Sequence, residues 1–96
     1  MEQSGTCVGH EQLTVSTSAV SLASLPSDAN AMLIRVDTAD VRILMDGASP
    51  TTSIGYRVAV ADSSGLWIYG RGPLVNFKAI RATASDGTLN ILYFAF

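Results

Sequence analysis

The sequence predicts an all-β fold, a small antiparallel β-sandwich or barrel of about seven short strands. Three observations carry this. Short segments alternate apolar and polar residues with a period of two, which places every second side chain on a buried face. Glycine, proline, aspartate and asparagine punctuate the chain between those segments. No window holds a helical apolar period long enough to compete.

The clearest stretch is Met32 to Asp46. Met32, Ile34 and Val36 alternate with Leu33, Arg35 and Asp37, and Val41, Ile43 and Met45 alternate with Arg42, Leu44 and Asp46. Thr38-Ala39-Asp40 between them is short and polar, so the stretch reads as a β-hairpin whose six apolar residues share one buried surface. Before it, Met1 to Glu11 is small, polar and glycine-containing and reads as a flexible N-terminal arm, leaving residues 12–96 as one sandwich domain. Gln12 to Ser18 reads as a first strand through Leu13 and Val15, with Val20 and Leu22 extending it after a kink. Leu25 to Asn30 is a loop, since Pro26 is unsuited to a central strand; a single helical turn capped by Ser27 is the alternative for Ser27 to Ala31.

After the hairpin, Asp46-Gly47 starts a turn and the chain runs as a loop to Gly55. Tyr56 to Ala61 alternates again, Asp62 to Gly65 has the length of a hairpin loop, and Leu66 to Tyr69 follows as a strand. Gly70 to Pro73 is a loop, and a strand is expected around Lys78 to Thr83 with Ile80 inward. Ser85-Asp86-Gly87 reads as a further hairpin turn, and Thr88 to Phe94 as the last strand. In that strand Leu89, Ile91 and Tyr93 line one face, while Leu92 and Phe94 make the other face apolar too, the pattern of a strand covered on both sides.

The chain has 96 residues, 48% hydrophobic and only 15% charged, against roughly 25% charged in an ordinary soluble domain. One domain of this size has too little interior for so many apolar side chains, so part of them is expected in an interface, as in a homo-oligomer or a larger assembly. The net charge of −2 and scattered basic residues argue against nucleic-acid binding, which relies on a positive patch. No apolar run reaches the roughly 20 residues of a membrane helix, and the N-terminus lacks the basic and apolar regions of a signal peptide. The single cysteine, Cys7, excludes an intrachain disulfide, which fits synthesis in a reducing cytoplasm.

No catalytic, cofactor or metal site is predicted. The one histidine, His10, lies in the presumed arm, and no nucleophile elbow is present. Cys7 and His10 have the spacing of half a zinc site, but the chain supplies no second cysteine or histidine. Asp37, Asp40 and Asp46 do not match a calcium loop and read as turn residues. Trp67, Tyr69 and Tyr56 fit a sugar-binding platform less well than a core or interface role.

Arg42-x-x-x-Asp46-Gly47-x-x-Pro50-Thr51-x-x-x-Gly55 resembles a pattern in small virion proteins of tailed bacteriophages. So do Asn76-Phe77-Lys78-Ala79-Ile80-Arg81, Asp86, Leu89-Asn90-Ile91 with Tyr93, and the early Leu13-Thr14-Val15-Ser16. The resemblance spans Leu13 to Phe94, and the segment Asp62 to Tyr69 departs from it. It implies a small β-sandwich without enzymatic activity, located in the virion as a capsid decoration (cement) protein or a head or tail accessory subunit. It also implies a homotrimer bound to the major capsid protein or another virion protein. The candidate interface residues are then Trp67, Tyr69, Leu92 and Phe94 on strand faces, Arg71 beside them, and Pro50 and Thr51 in the Asp46–Gly55 loop, which, with the arm before Gln12 as the alternative, would touch the capsid.

Overall fold

The first strand, β1 (Thr6–Val15), pairs along its length with the last, β8 (Gly87–Ala95), so that two segments about eighty residues apart are neighbours. The computed structural model describes residues 5–60 and 65–96. Between these strands come β2 (Val20–Ser21), β3 (Ala31–Asp37), β4 (Val41–Leu44), β5 (Tyr56–Val58), β6 (Leu66–Tyr69), a short helix α1 (Arg71–Val75) and β7 (Lys78–Arg81). They form two four-stranded antiparallel sheets, ordered β1-β8-β3-β6 and β2-β7-β4-β5.

The two orders correspond strand for strand. β1 beside β8 continues as β2 beside β7, β8 beside β3 as β7 beside β4, and β3 beside β6 as β4 beside β5. A four-stranded ribbon folded in half across its strands has this connectivity, which is the eight-stranded jelly roll. The all-β sandwich expected from periodicity is present, with both inner faces packed into one core. Tyr93, Ile91 and Leu89 from β8 and Met32, Ile34 and Val36 from β3 meet Val41 and Ile43 from β4 there, and Phe77 and Val58 complete it.

The Met32–Asp46 hairpin is corrected. β3 pairs with β6 and β8, and β4 pairs with β5 and β7, so the two strands lie in opposite sheets. Their apolar residues face each other across the core instead of lying side by side, and Met45 follows the end of β4. The turn is a corner. Ala39 N–H donates to the Asp37 carbonyl at 2.9 Å, which closes a γ-turn around Thr38 at a φ of 77°. The Ser85–Gly87 turn is likewise a corner, because β7 and β8 belong to different sheets. β5 and β6 also lie in different sheets, so no hairpin joins them; residues 61–64 of that connection lie outside the described residues.

Three further expectations change. Residues 6–11, expected in a loose arm, extend β1 and pair with β8 from Thr6↔Ala95 onward; residues 1–4 lie outside the described residues. Backbone pairing holds this polar stretch, so it needs few apolar side chains. Ile80 stands opposite Arg42 on the outer face of the second sheet, and Ala79, opposite Ile43, takes the inward position. The expected loop at Gly70–Pro73 leads into α1, where Pro73 sits in the first turn and lacks only an N–H that has no partner there. Leu74 anchors α1 in the core.

Glu11 shows why β1 holds at the edge. Its carboxylate accepts hydrogen bonds from the backbone N–H groups of Ala23 and Ser24, at 3.1 and 2.9 Å, and from the Tyr93 hydroxyl. Burial, and then the neighbouring carboxylate, push the Tyr93 phenol's pKa well above its ordinary value.

The corners gather at one end of the sandwich, where two aspartates tie them. Asp40 accepts from the Val60 N–H at 2.8 Å and from the Arg57 guanidinium at 2.8 and 2.9 Å. Asp86 accepts from the Ser16 hydroxyl and from Arg81, both at 2.9 Å. The Val60 bond and then Arg57 hold the Asp40 carboxyl below its ordinary 3.8. The Ser16 bond and then Arg81 do the same for Asp86.

Two predictions concern this end. A carboxyl whose pKa is lowered by folding stabilises the fold fully above its unfolded value and loses that contribution as pH falls through its folded value. Urea midpoints are therefore expected to stay level down to about pH 5 and to fall as pH drops below that. Asp86→Asn lowers the midpoint at neutral pH and flattens the acid limb; an unchanged acid limb would count against the two clasps. The second concerns Gly87, where a Cβ would lie 2.6 Å from the Ala39 carbonyl oxygen, while one at Gly72 meets nothing within 4 Å. Gly87→Ala is expected to cost about 1–3 kcal/mol by overpacking and Gly72→Ala to cost less than that, measured by urea unfolding.

Candidate interaction surface

Strand alternation turns Ala31, Leu33, Arg35 and Asp37 of β3 outward, and register carries that outer face across the first sheet. Four cross-strand rows result. Cys7, Phe94, Ala31 and Tyr69 form the first row, and His10, Leu92, Leu33 and Trp67 the second. Gln12, Asn90 and Arg35 form the third, and Thr14, Thr88 and Asp37 the fourth. The face grades from aromatic, beside the chain ends, to polar, beside the corners.

At the aromatic end Trp67 and Tyr69 lie nearly parallel, 12° apart in plane with centroids at 5.8 Å. Phe94 lies 5.0 Å from Trp67, and Phe96 lies 6.2 Å from both Phe94 and Tyr69. These separations are those of favourable aromatic pairs. Yet the cluster stays open to water: Trp67 is 40% exposed, Tyr69 60%, Leu92 42% and Phe96 44%. At the polar end Gln12 donates to Asn90 at 3.0 Å, Asn90 donates to Asp37, and Arg35 stands 4.0 Å from the same carboxylate. Between the two ends His10, Leu33, Arg35 and Leu92 border a shallow depression of about 360 Å³.

Of the expected interface residues, Trp67, Tyr69, Leu92 and Phe94 come together on this face. The other three do not join them. Arg71 donates to the Pro26 and Ala29 carbonyls at 2.6 and 2.8 Å and so holds the loop before β3. Pro50 is buried, and Thr51 accepts from the N–H groups of Ser53 and Ile54 within its own loop. Leu33 and Phe96 belong to the face although neither was expected in it. The spacing Leu92, Phe94, Phe96 signals the latter, since a strand continued to the last residue turns all three the same way.

The remaining polar candidates are spread over the molecule. Cys7 and His10 are exposed on β1. Asp37 joins the polar row, Asp40 the corner clasp, and Asp46 accepts from the Ala48 N–H at 3.1 Å. Among the described residues no three histidine, cysteine, aspartate or glutamate side chains are grouped as a metal site, and no helix is long and apolar enough to cross a membrane. Comparison with protein-family models, with characterised proteins and with solved structures found no match.

Trp67 is the only tryptophan, so its fluorescence reports on the aromatic end directly. If this face is covered on self-association, the emission maximum shifts to shorter wavelength as protein concentration rises. An emission maximum that stays constant across concentrations at which the mass increases would place the contact elsewhere.

Proposed function

We propose that the chain is a structural subunit of a tailed-bacteriophage particle, a capsid decoration protein that sits as a homo-oligomer on the outer head surface and stabilises it. The observation that supports this most is the uncovered aromatic end of the β1-β8-β3-β6 sheet. An apolar face of this kind, on a chain with few charges, favours burial against another protein. The jelly roll occurs in viral capsid proteins, and that is an argument from fold-level analogy. The resemblance across Leu13 to Phe94 points the same way. The role is mechanical: apolar side chains leave water at subunit contacts, and the particle gains the free energy of those contacts against pressure from within.

The second reading is a carbohydrate-binding module. Lectin domains share the architecture, and the near-parallel Trp67 and Tyr69 rings beside a row of amide, carboxylate and guanidinium groups favour it specifically. A head or tail accessory subunit differs from the first reading in copy number and position.

Mass spectrometry of particles purified from the phage that encodes the chain tests the proposal. Copies in fixed proportion to the major capsid protein are expected, and adding the chain to heads lacking it raises their melting temperature. Absence from the particles overturns the reading. A few copies per particle moves the chain to the tail or the head–tail joint.

A further inference from the structure

We propose that β6 is a docking edge for a second copy of this chain, the two copies joining β6 to β6 antiparallel about a two-fold axis. The first sheet ends at β1 and β6, and the second at β2 and β5. An open edge invites another strand unless it is short, charged, bulged or covered. β1 carries a bulge between Cys7 and Gly9 and an inward-turned charge at Glu11. β2 has two residues, and β5 has three with Arg57 at its middle. β6, Leu66-Trp67-Ile68-Tyr69, has no charge, no proline and no register shift. Among the described residues three edges are guarded and the fourth is not.

The backbone of β6 is presented for pairing. Gly70 N–H donates to the Asn30 carbonyl at 2.7 Å, toward β3. The same peptide plane turns the Tyr69 carbonyl away from β3, and alternation along the strand turns the N–H and C=O groups of both Tyr69 and Trp67 outward. Among the described residues β6 pairs with β3 alone, and no turn or loop backbone hydrogen bond reaches these four groups. Alongside them lies an apolar opening of about 340 Å³ edged by Met45, Tyr56 and Pro73, which an added strand would cover.

A row of alternating donors and acceptors is matched by an extended strand. Under a two-fold, charge decides which edge can pair with its own copy. Each residue near the axis meets its counterpart, so a charged edge repels itself: β5 would set Arg57 beside Arg57 of a second copy. β6 meets no such penalty. With Ile68 facing Ile68 of the second copy, Trp67 stands opposite Tyr69, and each N–H meets the other's carbonyl. The two aromatic ends then lie on one continuous face. The pairing rests on the self-association in the reading above and not on the particle assignment. Its two-fold axis departs from the three-fold arrangement that the resemblance implies.

Light scattering and amide exchange on the full chain test this. A mass of about 20 kDa is expected, twice the 10.1 kDa chain. Raising the concentration is expected to slow exchange at the Trp67 and Tyr69 amides by at least about tenfold, the factor that about 1.4 kcal/mol supplies. Ile68, whose N–H points to β3, is protected at every concentration and reports that each variant is folded. Tyr69→Lys yields a monomer with Ile68 still protected, while Leu92→Lys, two strands in from the edge on the same face, leaves the dimer. A trimer, or a dimer lost on Leu92→Lys and kept on Tyr69→Lys, overturns the proposal. So does a monomer throughout, or protection of Trp67 and Tyr69 that arises only when purified particles are added.

Discussion

At six of its seven strand connections the chain leaves one sheet and enters the other, the β4 to β5 connection alone staying within a sheet. Neither layer can form without its partner. The first sheet alone would leave Leu89, Ile91 and Tyr93 in water, and the second would expose Val41, Ile43 and Val58. Each such side chain is worth about 1.5–3 kcal/mol on full burial. The Asp40 and Asp86 clasps close the corners that this alternation creates, and the γ-turn at Thr38 is the backbone cost of making one of them in a single residue.

The inner faces serve the core, which leaves the outer faces for everything else, and they differ. On the second sheet Arg42 and Arg57 stand directly opposite, yet each is drawn aside: Arg42 donates to the Thr52 and Gly55 carbonyls, and Arg57 pairs with Asp40. The two guanidinium groups of that face are spent within the molecule. On the first sheet the polar row is also tied internally, but the aromatic end has no cover among the described residues. Trp67 and Tyr69 belong both to this open face and to the unguarded β6 edge, so one four-residue strand concentrates the surface available to a partner.

Most strand positions and most inward residues were legible because periodicity reports which side chains face the core, though not at Ile80, whose neighbour Ala79 takes the inward place. It does not report which strand lies alongside. Met32, Ile34 and Val36 meet Val41 and Ile43 in the same interior whether Thr38–Asp40 closes a hairpin or turns a corner, and the turn residues serve either. Residues 6–11 left little trace because hydrogen bonds to β8 hold them, through backbone that every residue carries. The five residues of α1 are too few for a period, and the core around Leu74 fixes them. Four of the seven surface residues were legible as aromatics and leucines on strand faces. Pro50 and Arg71 were not separable from them, since burial and carbonyl partners depend on loops that sequence spacing does not place.

The position of β8 also sets when this protein can fold. It follows β1 to β7 in the sequence, yet it lies inside the first sheet, hydrogen-bonded to β1 on one side and β3 on the other. Until Gly87 to Ala95 leaves the ribosome, β1 has no neighbour and β3 lacks one of its two. The nascent chain therefore carries Met32, Ile34, Val41 and Ile43 unburied until that strand is available. Folding is closed by long-range pairing, slow by topology and exposed to aggregation while it waits.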